Sequence, residues 1–185
     1  MTEQELQELQ YRLSPEGQQA IAKQNRDDAA LVKSYKEKVK HGPWINEVNW
    51  QRDINLIDLK TPKDKITPTD FPEAWKIAEC NLTKLVSMIR KDADKFYPIQ
   101  DPFKNRGNRT SVPIAKLFEF VDSGGIVYPP IINFVQVQKS WRANPFDGNH
   151  RIGMARFLQL DFIPIVFEKQ FEEHLLGIGL IHLHS

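Results

Sequence analysis

A single cysteine, Cys80, occurs in the 185 residues. One thiol excludes an intrachain disulfide and a cysteine-built zinc site, and it fits a reducing, cytoplasmic setting. No apolar run approaches the ~20 residues that a membrane-spanning helix needs, so no membrane partner is expected. Met1 to Gln10 is polar and acidic, unlike a secretory signal. Charge excess is also missing: 25 Lys and Arg against 24 Asp and Glu leave a net charge of +1, so no global field draws the chain to nucleic acid or lipid. Internal repeats and low-complexity tracts are absent, which argues against a solenoid or a linker. What is present is a 41% apolar, 10% aromatic composition, enough to build a packed core.

The chain divides by pattern. Residues 1–42 read as helical: Leu6, Leu9 and Leu13 share a face, Ser14-Pro15-Glu16 resembles a second helix start, and His41-Gly42-Pro43 ends it. Residues 43–69 mix apolar side chains with prolines and suggest a packed loop with a short strand or helical turn. Residues 70–94 give the clearest helical pattern. Asp70-Phe71-Pro72-Glu73 looks like a capping box, and Trp75, Ala78, Leu82, Leu85, Val86 and Ile89 recur at spacings of three and four. A turn-rich stretch over 95–110 places a boundary near Lys104. The expected organisation is a mostly helical extension over 1–104 and a small α/β unit over 105–185, an α+β protein with a mixed sheet.

Within that unit, Val112-Pro113-Ile114 predicts a short strand and Ala115 to Val121 a helix stopped by Gly124-Gly125. Strands are expected within Ile126 to Gln138 and at Phe162 to Phe167, where Pro164 suggests a sheet edge. Ile152 to Leu160 predicts a helix. Phe171 to Leu183 predicts a closing helix weakened by Gly177 and Gly179.

The chemistry is concentrated in Asp147-Gly148-Asn149-His150-Arg151, between a strand and a helix. Gly148 allows close backbone approach to a ligand. The helix start offers unpaired N–H groups and about half a positive charge. Arg151 adds a forked cation suited to phosphate. His150 can donate a hydrogen bond or move a proton near neutral pH. Asn149 can cap the helix or bind a polar group, and Asp147 can accept from a hydroxyl, act as a base or hold a metal ion. Together they form a candidate phosphate site. Read alone, the same five residues also suit an ordinary helix cap.

The surrounding pattern resembles the ParB/sulfiredoxin superfamily from about Ser111 to Glu168. Val112-Pro113-Ile114-Ala115-Lys116-Leu117 looks like its first strand and helix, and Tyr128-Pro129-Pro130-Ile131 like its following segment. Asp147 to Arg151 looks like its signature turn, and Phe162-Ile163-Pro164-Ile165-Val166 like its closing Ile-Pro strand. The resemblance implies a nucleoside triphosphate, ATP or CTP with Mg2+, bound at Gly148, Asn149, His150 and Arg151. It also implies a phosphotransferase or nucleotide hydrolase using Asp147 and His150, with Asp147 at the metal. The family's sulfiredoxins need a cysteine where Asn149 stands, so their activity is not expected. Its partition proteins carry a DNA-binding helical unit for which too little chain follows. Alternatives are a non-catalytic DNA- or nucleotide-binding module and a nuclease. The N-terminal helices would then serve a partner or a homodimer.

Other candidates are weaker. Lys84 to Arg109 carries seven Lys and Arg against three Asp, with Phe96, Tyr97 and Phe103 interleaved. That could bind single-stranded nucleic acid but suits a solvated helix face better. Arg106 and Arg109 are the best additional phosphate ligands from this stretch. His174, His182 and His184 could hold a metal only in a well-ordered terminus. Glu119 and Asp122 are candidate bases on a helix where surface carboxylates are commonplace.

Overall fold

A computed structural model describes residues 2–57, 72–89, 101–104 and 106–182. It is an α+β protein with a helical N-terminal region and a five-stranded mixed sheet. The capping-box motif at 70–73 begins outside the described residues.

Helices α1 (Glu3–Leu13) and α2 (Pro15–Lys40) meet at Ser14, whose hydroxyl accepts from the Gly17 amide at 3.0 Å. His41 caps α2 as expected, and Gly42 follows with φ +85°. A short 3-10 turn at Ile54–Leu56 is the helical turn expected of the next segment. Next come β1 (Trp75–Asn81), α3 (Leu82–Ile89) and α4 (Asn108–Asp122). β2 (Ile131–Val137), β3 (Ser140–Asp147), α5 (Asn149–Phe157) and β4 (Phe162–Glu168) carry the chain to α6 (Glu172–Gly177) and β5 (Ile181–His182).

The long helix expected over 70–94 is instead a strand followed by a helix. Ala78 and Cys80 of β1 enter one core, while Ile77 packs on the opposite face with Ile57, so the segment is apolar on both sides. That two-sidedness marks an inner strand and is invisible to a one-face helical count. The strand expected at Val112-Pro113-Ile114 lies inside α4, Pro113 included. Ser111, Ile114, Phe118 and Val121 are buried at helical spacing, and this face outweighs the hydrogen bond that Pro113 cannot donate.

Pro164 does not mark an edge. The strand order β3-β2-β4-β1-β5 makes β4 central, antiparallel to β1 with Pro164 opposite Glu79. β4 meets β2 in parallel at Ile131 and Val166, two residues beyond Pro164, where the Val166 amide donates to the Pro130 carbonyl. Trp141 to Pro145 belongs to β3 despite the proline. Pro145 lies opposite Ile132, next to a bulge that takes up the irregularity. The closing helix is shorter than expected: α6 ends at Gly177, Gly179 turns at φ +64°, and Ile181–His182 adds an edge strand beside β1.

Residues on either side of Lys104 share this sheet and its cores. α5 is the middle layer. Its Ile152 and Ala155 face the sheet with Leu85, Ile163 and Phe167, and its Met154 and Phe157, with Leu158 just after it, face α4 and α2. Phe118 of α4 sits in that second core, 5.1 Å from the Trp44 ring and edge-on to Phe157 at 5.7 Å. Among the described residues no helix is long and apolar enough to cross a membrane.

Candidate functional site

The turn between β3 and α5 forms where the strand pairing ends. Ile131 lies opposite Asp147, Ile132 lies opposite Pro145, and Phe146 is the extra residue of the bulge. Gly148 then adopts φ +97°, ψ 18°, the left-handed conformation that glycine takes without penalty. It is also buried: a Cβ there would stand 2.6 Å from Pro130 Cβ and 2.7 Å from Pro130 Cα. Glycine is therefore required twice, for the backbone angle and for the contact with Pro130.

α5 starts at Asn149 with no side-chain cap. The Ile152 amide is satisfied by the Gly148 carbonyl at 3.0 Å, so the ladder begins there. The preceding amides form the electropositive helix end. Asn149 is exposed at this end and does not fold back to cap it.

Arg151 is held by the protein itself. Nη1 donates to the Tyr128 carbonyl at 2.7 Å and to the Pro129 carbonyl at 3.0 Å, and Nη2 donates to Asp147 Oδ2. Its side chain is only 14% exposed. The arginine thus staples Tyr128-Pro129 to the start of α5, and its charge reaches the helix end from behind. These partners were not named from the sequence. The available signal was Tyr128-Pro129-Pro130 itself, whose prolines lack amide donors and leave carbonyls open for an arginine fork.

His150 is half-buried, and its Nδ1 is enclosed without a hydrogen-bond partner. Burial depresses its pKa, and the positive charges of Arg106 and Arg151 depress it further against a smaller opposing effect of Asp147. The imidazole is therefore neutral at neutral pH. Arg106, from the loop before α4, is thereby placed in electrostatic contact with the turn. Arg109 lies in the first turn of α4, with its side chain outside the described residues. Asp147 remains 44% exposed with one oxygen engaged by Arg151.

The other sequence candidates are dispersed. Asp122 binds Tyr35 Oη at 3.0 Å, Trp44 Nε1 at 2.8 Å and Lys38, which makes it a tie between α4 and α2. Glu119 is exposed on α4. His174 lies against Trp141 with ring centroids 4.5 Å apart, and His182 lies edge-on to Phe162. His184 is outside the described residues, as is most of the basic stretch over 90–105. Among the described residues no three His, Cys, Asp or Glu side chains gather into a metal-binding group. A recess of about 430 Å3, lined by Leu82, Thr83, Val86, Arg156 and Asp161, lies at the opposite end of α5 from the turn.

No protein-family model matches the chain, and no curated protein matches it. Among solved structures, the chain is similar to a plasmid fertility inhibition factor, the oncogenic suppression activity protein, solved as a gold(I) cyanide derivative. The identity is 8% and the TM-score 0.45, over 87% of this chain and 89% of that one.

Proposed function

We propose that the chain binds the phosphates of a nucleoside triphosphate, ATP or CTP, at the turn from Asp147 to Arg151 and acts as a phosphotransferase or nucleotide hydrolase. One observation carries the reading: the first turn of α5 has no side-chain cap, and Arg106 and Arg151 both place positive charge on that turn. Open amides, a helix dipole and two nearby cations make a strong anion site in a chain whose net charge is only +1.

In this reading the amides after Gly148 and the Asn149 side chain take the phosphate oxygens. Arg151 contributes field and rigidity, because its donors are turned towards Tyr128, Pro129 and Asp147. Neutral His150 accepts the proton of an attacking hydroxyl or water. Asp147, still partly exposed, orients that group or supplies one oxygen to a magnesium ion arriving with the triphosphate. Magnesium would supply charge neutralisation of the phosphates; the protein's own share is positioning.

A binding-only module is the second reading. It is favoured over a nuclease because, among the described residues, Asp147 is the one carboxylate with a contact at the turn. Titration of ATP, ADP, CTP and GTP with magnesium, followed by assay of phosphate release, tests the proposal. Saturable binding with phosphate release supports an enzyme, and binding without turnover supports the module. Absence of binding by all four nucleotides leaves the turn a structural helix start.

A further inference from the structure

α1 buries none of its side chains, and the buried contacts of α2 with the body begin at Val32. Between Glu3 and Ala30 every residue is exposed except Gly17, which is buried at the corner, and the half-buried Ser14 and Asp28. α2 has 26 residues, a length of ~39 Å at 1.5 Å per residue, so roughly its first half extends without cover. Along this arm Leu6, Leu9 and Leu13 are 40%, 46% and 70% exposed, and their spacing of three and four puts them on one stripe. Ile21 on α2 is also exposed, at 40%. Scattered exposed leucines are ordinary. A leucine stripe on an 11-residue helix is different, because a helix of that length is marginal in water without a packed face.

We propose that this arm pairs antiparallel with the same arm of a second copy of the chain. Charge selects the occupant. α1 carries Glu3, Glu5 and Glu8 against Arg12, a net −2. The stretch from Leu31 to Lys40 carries Lys33, Lys36, Lys38 and Lys40 against Glu37, a net +3. A two-fold axis that brings each acidic α1 onto the basic end of the other α2 would make the surface complement itself. Lys38 and Lys40 already pair with Asp122 and Glu37, and Lys33 and Lys36 are the cations facing the partner's glutamates. The acidity of α1 disfavours a nucleic acid or an anionic membrane as the occupant.

Sedimentation velocity on the full chain, over a micromolar to millimolar dilution series, tests the pairing. The wild type is expected to sediment as a dimer. Leu9→Glu with Leu13→Glu gives a monomer whose helical circular dichroism falls by no more than the share of α1, since both positions are exposed and only α1 loses its packed face. Glu3→Lys with Glu8→Lys also gives a monomer, and adding Lys33→Glu and Lys36→Glu to that chain restores the dimer. A wild type that stays monomeric throughout overturns the proposal. So does a dimer that survives the leucine changes, or a charge-reversed chain that fails to reassociate.

Discussion

Tyr35 donates its phenolic hydroxyl to Asp122 across 3.0 Å, closing a contact between residues 87 positions apart in the chain. The same carboxylate accepts from Trp44 Nε1 and Lys38, so a single acid holds α2, the loop after it and α4 together. Tyr35→Phe is expected to cost ~0.5–1.5 kcal/mol, the net worth of one hydrogen bond. Asp122→Ala, which strands three donors, the part-buried Tyr35 hydroxyl among them, costs more, ~1–3 kcal/mol, and leaves nucleotide affinity unchanged. Denaturant melts paired with a nucleotide titration check both.

The acid side of the stability profile follows from the same group. Burial works against ionisation of Asp122, but hydrogen bonds from Lys38, Trp44 and Tyr35 outweigh it and hold the pKa below the ordinary 3.8. A carboxyl lowered in the folded state stabilises above its unfolded pKa and loses that contribution as pH falls through the folded one. Asp122→Asn should therefore flatten the loss of stability below about pH 4. An unchanged profile would assign the acid sensitivity to other carboxylates.

His150 acts with the same sign in a higher pH range. Its folded pKa lies below the ordinary 6.5, so the unfolded chain takes up the proton first, and stability declines as pH falls from 6.5 towards the folded value. His150→Gln should remove that decline. Thermal melts of both chains across this range read the difference directly.

Arg151→Ala is expected to lower stability by ~2–3 kcal/mol, because a charged donor leaves two carbonyls and a carboxylate without it. Arg151→Lys should recover only part of this, since one ammonium cannot reproduce the fork. The arginine that a sequence reading offers first as a phosphate ligand is thus a poor probe of binding, because fold and field change together.

Much of this architecture is legible in the residues. Ser14 caps α2, Gly124 follows the end of α4, and Asp147 to Arg151 forms a strand-to-helix turn, because each rests on local backbone chemistry. β1 was obscured because its apolar residues face two cores at once. Val112-Pro113-Ile114 taken alone suits a strand, whereas Ser111, Ile114 and Phe118 together form one buried helical face. The Arg151 staple was hidden because its acceptors are backbone carbonyls, which carry no side-chain signature in a sequence.

Asn149→Asp separates the two readings of the turn most directly. A negative charge at the start of α5 favours the helix by ~0.3–1 kcal/mol, while it repels a phosphate held at the same amides. The decisive measurement is calorimetric titration of magnesium ATP and CTP into wild type and Asn149→Asp, with a thermal melt of each. The account predicts saturable binding to the wild type, a loss of affinity in the variant and a melting temperature that is equal or higher. Nucleotide binding that is absent from the wild type, or undiminished in Asn149→Asp, would contradict it.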